Sequence, residues 1–165
     1  MHKSVMQFVG EKVREYKLED KKVLEVGSLD VNGTVRDFFS KEIGQYIGLD
    51  IRAGKGVDVV CNAHEMKFDD ALFDVVLSTE MLEHDDMFWL SVMEMGRVLK
   101  PDGYLILTAR GNGFQQHAFP SDYYRFIPEA FQVLFKLAGC APLEIKSDPE
   151  VSGVFGIGIR KMVCF

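Results

Sequence analysis

The 165 residues make one domain of ordinary size, long enough to bury well over half the surface of the unfolded chain, so a second, separately folded substrate domain is not expected. Hydrophobic residues at 47% and charged residues at 27% fit a soluble globular chain and exclude a disordered, collagen-like or coiled-coil one. With 19 Lys and Arg against 25 Asp and Glu, the net charge of -6 works against a partner whose phosphates need neutralising over a broad surface.

In chain order, Val5, Phe8, Val9 and Val13 recur at helical spacing among charges, predicting an amphipathic helix over about 4–17. KKVLEVGS then predicts a buried strand that empties into a glycine turn, and GTVRDFFSK a helix with Val35, Phe38 and Phe39 on one side. QYIGLDI and VDVVCNA predict the second and third strands. HEMKFDDAL predicts a loop or short helix, and FDVVLST a fourth strand of the fully buried kind.

Residues from about 86 to 99 predict a helix packed on the sheet, stopped by Lys100-Pro101-Asp102-Gly103, before a fifth strand at GYLILTAR. A polar, glycine-bearing stretch runs from Gly111 to about Ile127. Pro128 then opens a helix over PEAFQVLFKLAG, with Gly139 as its cap. PLEIKS and GIGIRKMVCF are joined by a short turn and predict an antiparallel pair at one sheet edge. The other strands alternate with helices and so imply parallel neighbours. The expected fold is α/β, a three-layer sandwich of seven strands and about five helices around a mostly parallel sheet with one antiparallel edge strand.

Cys61, Cys140 and Cys164 are odd in number and far apart, and they lack both C-x-x-C and His/Cys zinc spacing, so neither a disulfide framework nor a structural metal is indicated. No apolar core of signal-peptide length stands near the start and no run of about 18 apolar residues occurs, which makes a soluble, cytoplasmic protein the expectation.

In such a sheet a ligand sits beyond the carboxyl ends of the strands, where the strand order reverses. Glu25-Val26-Gly27-Ser28 follows the first strand there, and a glycine turn lets a ligand approach the backbone; an ordinary strand-to-helix turn is the alternative. Leu29 stands where G-x-G-x-x-G needs its second glycine, which disfavours a nicotinamide or flavin dinucleotide. Asp50 ends the second strand, where a carboxylate accepts hydrogen bonds from vicinal ribose hydroxyls or makes an Asx turn.

The ordered set VLEVGS, YIGLDI, CNAHEMKF, FDVVLSTEMLEH and RVLKPDGYLILTARG resembles the class I S-adenosylmethionine (SAM)-dependent methyltransferases, in particular the small type 11 methyltransferase-domain group, over residues 22 to 111. The resemblance implies a Rossmann-like fold, SAM as cofactor and methyl transfer as activity. It implies that Glu25 and the Gly27-Ser28 turn face the amino acid part of SAM, that Asp50 binds ribose, and that Ile51 lies against adenine. Asn62 and Ala63 match the pair beside the adenine amine, with Asn where the family more usually has Asp; Ser78 and Thr79 match the segment bordering the methionine moiety. The family's E-x-G-x-G-x-G also departs here: Gly27-Ser28-Leu29-Asp30-Val31-Asn32-Gly33 keeps only the first and last glycines.

A hydroxyl acceptor needs a base, and imidazole is matched to neutral pH. His84 at the mouth of the fourth strand and His117 in the fifth-strand loop are the candidates, each with a capping or packing role as the alternative. The loop around His117 carries Asp122, Tyr123, Tyr124 and Arg125, which can bind a polar ring or pack the loop onto the sheet. Its F-P-x-D-Y-Y-R-F pattern resembles a segment of methyltransferases associated with glycan pathways. The expected partner is a small-molecule acceptor such as a sugar, with neither nucleic acid nor membrane, for a monomer or homodimer. A SAM-binding regulatory or scaffold module without turnover is the competing expectation.

Overall fold

The computed structural model describes residues 2–40, 42, 45–118 and 120–161; the predicted extension of the last strand over residues 162–165, with Cys164, lies outside them. Seven strands form one sheet in the order β3-β2-β1-β4-β5-β7-β6: β1 (Val23–Val26), β2 (Tyr46–Asp50), β3 (Val59–Val60), β4 (Phe73–Thr79), β5 (Leu99–Arg110), β6 (Cys140–Ser147) and β7 (Gly153–Arg160). β3 through β5 pair in parallel, while β7 runs antiparallel to both β5 and β6. The chain moves from β1 towards β2 on one side and from β4 towards β5 on the other. The order therefore reverses between β1 and β4, which opens a crevice at their carboxyl ends.

Alternation along the strands divides the core into two layers. Val75, Leu77, Ile106 and Ile157 meet α1 (Lys3–Tyr16), whose Val5, Phe8, Val9 and Val13 are all but fully buried. Removing each such side chain from water is worth roughly 1.5–3 kcal/mol, and that sum fixes the helix to the sheet. Val76, Leu105 and Leu107 face the other way, onto Val92 and Met95 of α2 (Phe88–Val98) and Phe131, Leu134 and Phe135 of α3 (Pro128–Leu137). Both faces are covered, which is why these strands read as unbroken apolar runs.

Three predicted elements come out differently. GTVRDFFSK forms only a 3-10 turn at Arg36–Phe38, with Lys41 outside the described residues. The Thr34 hydroxyl accepts the Arg36 N–H at 3.1 Å, and the Arg36 guanidinium pairs with Asp58 at 2.9 Å and donates to the Tyr46 carbonyl at 3.1 Å. The Thr34 hydroxyl takes one backbone N–H locally, and the distant partners of the Arg36 side chain, Asp58 and the Tyr46 carbonyl, fix the segment as a turn. The third strand shrinks to two residues at the sheet edge, because Asp58 turns back to accept from Gly48 N and the Asn62 side chain accepts from His64 N. Lys100-Pro101-Asp102-Gly103 ends α2 as predicted but stays in β5 as an irregularity, with Asp102 at φ 60 and the register against β4 shifting. Among the described residues there are three α-helices and two 3-10 turns where about five helices were expected.

Candidate functional site

A cavity of about 690 Å³ opens at the carboxyl ends of β1, β2 and β4, where the strand order reverses. Glu25, Gly27 and Ser28 line it from β1, Asp50 and Ile51 from β2, Asn62 and Ala63 from the segment after β3, and Thr79 from β4. His84 and His117 close the opposite wall.

Ser78 is not on that wall. It points to the other side of β4, is fully buried, and leaves Thr79 to face the cavity. Asp122, Tyr123, Tyr124 and Arg125 do not line it either. Arg125 holds the two Asp122 oxygens at 2.5 and 2.7 Å and donates to the carbonyls of Phe114 and Gln115. Tyr124 packs its ring on Phe88 and donates its hydroxyl to Asp86 O at 2.9 Å, while Tyr123 is half exposed. These four residues brace the loop, and its tip, His117, Ala118 and Pro120, forms the cavity rim.

The first turn is shaped by Gly27, whose φ of +83 favours glycine and whose added Cβ would meet Met81 Cγ at 2.5 Å. In place of the family's second glycine, Leu29 donates its backbone N–H to Asp50 Oδ2 at 3.2 Å. Asp30 accepts from Gly33 N at 2.8 Å and pairs with Lys55 at 2.6 Å. The departure from the glycine pattern is therefore accommodated by side-chain bonds that hold a differently built turn.

Asp50 is positioned by two backbone donors, Leu29 N on Oδ2 and Arg52 N on Oδ1. Each oxygen keeps a further lone pair, so the carboxylate can take two more donors. Glu25, almost wholly buried, accepts the Tyr46 hydroxyl at 2.7 Å. Burial pushes its carboxyl up to about 7, against the pull of the Tyr46 hydrogen bond and the Arg36 charge. Ser28 and Thr79 also line the cavity, and their hydroxyl oxygens are buried without a hydrogen-bond partner.

Sequence reasoning passed over four acidic residues beside the two histidines. Glu80 lines the cavity at φ 53 and is tied to the fully buried Arg110, which also reaches Asp148. Such a left-handed non-glycine is strained and persists only because its surroundings hold it. Asp85 accepts from His64 at 2.7 Å and Ser91 at 2.5 Å, beside Asp86. Glu83 is fully buried, and its carboxylate accepts no side-chain donor, only the Glu83 and Arg110 backbone N–H groups acting against its burial. Its carboxyl is pushed up to about 7 by burial, and Glu80 adds to the rise. His117 is held below the usual imidazole range by burial and by His84, whose ring centre lies 4.7 Å away. The signal that could have found these acids is their clustering in TEMLEHDD directly after a buried strand.

A crevice at the switch point of a mostly parallel sheet, with a glycine turn after β1 and a carboxylate after β2, defines a nucleoside-binding α/β protein. Residues 23–107, just over half of the chain, match the family described as a methyltransferase domain, the type 11 group. The chain belongs to that family and is a SAM-dependent methyltransferase. No curated protein matches it. Solved structures that share its fold include 1,6-didemethyltoxoflavin-N1-methyltransferase from Burkholderia thailandensis, bound to 1,6-didemethyltoxoflavin and S-adenosylhomocysteine, at 15% identity and TM-score 0.77 over 95% of this chain and 78% of that one. YcgJ from Bacillus subtilis is similar at 15% identity and TM-score 0.75, over 98% and 100%. PH0226 from Pyrococcus horikoshii is similar at 15% identity and TM-score 0.72, over 96% and 90%. No helix of the described residues is long and apolar enough to cross a membrane.

Proposed function

We propose that this enzyme transfers the SAM methyl group to an oxygen of a small polar acceptor, such as a sugar. The observation that carries the reading is a single cavity with a carboxylate pair, Glu25 and Asp50, at one end and an imidazole pair, His84 and His117, at the other. When bound, SAM supplies an electrophilic methyl on a sulfonium. Asp50 accepts hydrogen bonds from the ribose hydroxyls, Asn62 accepts from the adenine amine, and Ile51 covers the adenine face. Ser28 and Thr79 border the methionine portion, and Glu25 meets its ammonium group. The rim formed by His117, Ala118 and Pro120 covers the acceptor and limits water. Fixing the two reactants in line can supply on the order of 7 to 11 kcal/mol of the barrier, so alignment is the main task of the protein.

The reach of one cavity of about 690 Å³ to both residue pairs favours a small acceptor over a polymer. The toxoflavin-type methyltransferase, whose acceptor is also small, supports this size class. The net charge of -6 favours an acceptor that is not a nucleic acid. The test is transfer of labelled methyl from SAM to panels of sugars, phenols, amines and carboxylates. Label on a hydroxyl oxygen supports the reading. Label on nitrogen alone overturns its acceptor atom, and cofactor binding with no turnover on any panel favours the regulatory or scaffold role.

A further inference from the structure

Glu83, His84 and His117 each place one ligand atom, a carboxylate oxygen or a ring nitrogen, so that the three lie within 4.8 Å of one another. Two histidines and one carboxylate at such spacing are a donor set for a divalent transition metal. A second observation comes from Glu83 itself: its carboxylate is fully buried, accepts no side-chain donor, and has only the Glu83 and Arg110 backbone N–H groups and the Arg110 charge to offset its burial, so a further cation would still stabilise it.

The backbone and the outer partners point the same way. Glu83 O accepts the N–H groups of Tyr123 at 2.8 Å and Tyr124 at 3.2 Å, which pins the loop carrying His117 over the carboxylate. His84 Nδ1 is 2.5 Å from Ser121 O, and His117 Nδ1 is 3.5 Å from Asp122 Oδ2. The His84 contact is the kind that orients a metal-bound imidazole, one ring nitrogen anchored by a carbonyl and the other turned to the ion, whereas Asp122 holds His117 through its backbone N–H at 2.7 Å and not through the ring. The neighbouring His64, Asp85 and Asp86 also lie close together, but His64 and Ser91 already occupy the Asp85 oxygens.

We infer that Glu83, His84 and His117 bind one divalent transition-metal ion at the wall of the cavity, where His84 and His117 line it and Glu83 is buried beside them. The ion site rests on these side chains alone. That an acceptor oxygen completes its coordination rests on the proposed oxygen methylation. Three protein ligands leave open positions, as in metal sites that take substrate or water. On this assignment the two histidines serve as ligands and the bound acceptor oxygen is acidified by the ion.

The test is titration of the chelator-treated full chain with Co2+, read by visible absorption and calorimetry, with S-adenosylhomocysteine affinity measured in parallel. One equivalent of Co2+ should bind with a Kd on the order of 10 μM or tighter. Glu83→Gln and the half-exposed His117→Gln should each weaken it about 30-fold or more, while S-adenosylhomocysteine affinity stays within about twofold and reports an intact fold. His64→Gln should leave Co2+ affinity unchanged. A wild-type Kd weaker than about 1 mM, or an affinity that responds to His64→Gln and not to His117→Gln, overturns the site. Homocysteine-cofactor binding without Co2+ binding removes the ion and spares the methyltransferase reading. Co2+ binding without cofactor binding removes the cofactor assignment and spares the ion.

Discussion

The Tyr46 hydroxyl donates to Glu25 Oε2 at 2.7 Å, joining the neighbouring strands β1 and β2 at the floor of the cavity. Glu25 has its folded pKa raised from 4.5 to about 7, so the folded state holds this proton more tightly than the unfolded chain does. Its contribution to stability is fully present below about pH 4.5 and is lost as the pH rises through 7, a span on the order of 3 kcal/mol. Glu25→Gln keeps an acceptor for Tyr46 and has no proton to release. The difference in unfolding free energy between the two proteins should therefore slope across pH 4.5 to 7 and level off above. A flat difference would remove the raised pKa.

The same residue links cofactor affinity to pH. If Glu25 meets the SAM ammonium, binding favours its ionised form, and below pH 7 a proton leaves on binding. Affinity should then rise with pH up to about 7 in the wild type and stay level in Glu25→Gln, measured by calorimetry in buffers of different ionisation enthalpy. Parallel profiles would move the ammonium elsewhere.

Gly27→Ala meets two obstacles, a φ of +83 and the Met81 side chain at 2.5 Å. The substitution should cost about 1–3 kcal/mol and weaken cofactor binding. Adding Met81→Ala should restore the steric part and leave the conformational part, so the double variant should fall between the single variant and the wild type. Full recovery would show that the conformation at Gly27 is not needed.

Arg125→Ala leaves the Asp122 carboxylate buried without its cation, whose pull holds the Asp122 pKa well below the usual carboxylate range. The loop from Gly111 to Ile127 should loosen, its proteolysis should speed up, and methyl-transfer turnover should fall about tenfold or more, with S-adenosylhomocysteine affinity near wild type. Equal losses of turnover and cofactor affinity would show that the loop serves the cofactor.

Sequence reading found what depends on local pattern. FDVVLST and VLEV announce buried strands because nearly every residue is apolar, and Asp50 stands out as a charge at the tip of one. It failed where the deciding partner is distant. Nothing near Arg36 in the chain shows that its guanidinium will meet Asp58 and the Tyr46 carbonyl, so a helical pattern was read where a turn forms. Nor does the loop sequence reveal that Asp122 and Arg125 satisfy each other and that only the tip reaches the cavity. Glu83 was missed because its burial follows from the packing of β4 against the later loop, which no spacing within LEH encodes.

The most direct measurement is calorimetric titration of the wild type and Asp50→Ala with S-adenosylhomocysteine. The wild type should bind one equivalent, and Asp50→Ala, without the two charge-assisted ribose bonds, should bind about 100-fold more weakly with its fold intact. Equal affinity in the two proteins, or no binding by the wild type, would contradict the assignment of this cavity as the cofactor site.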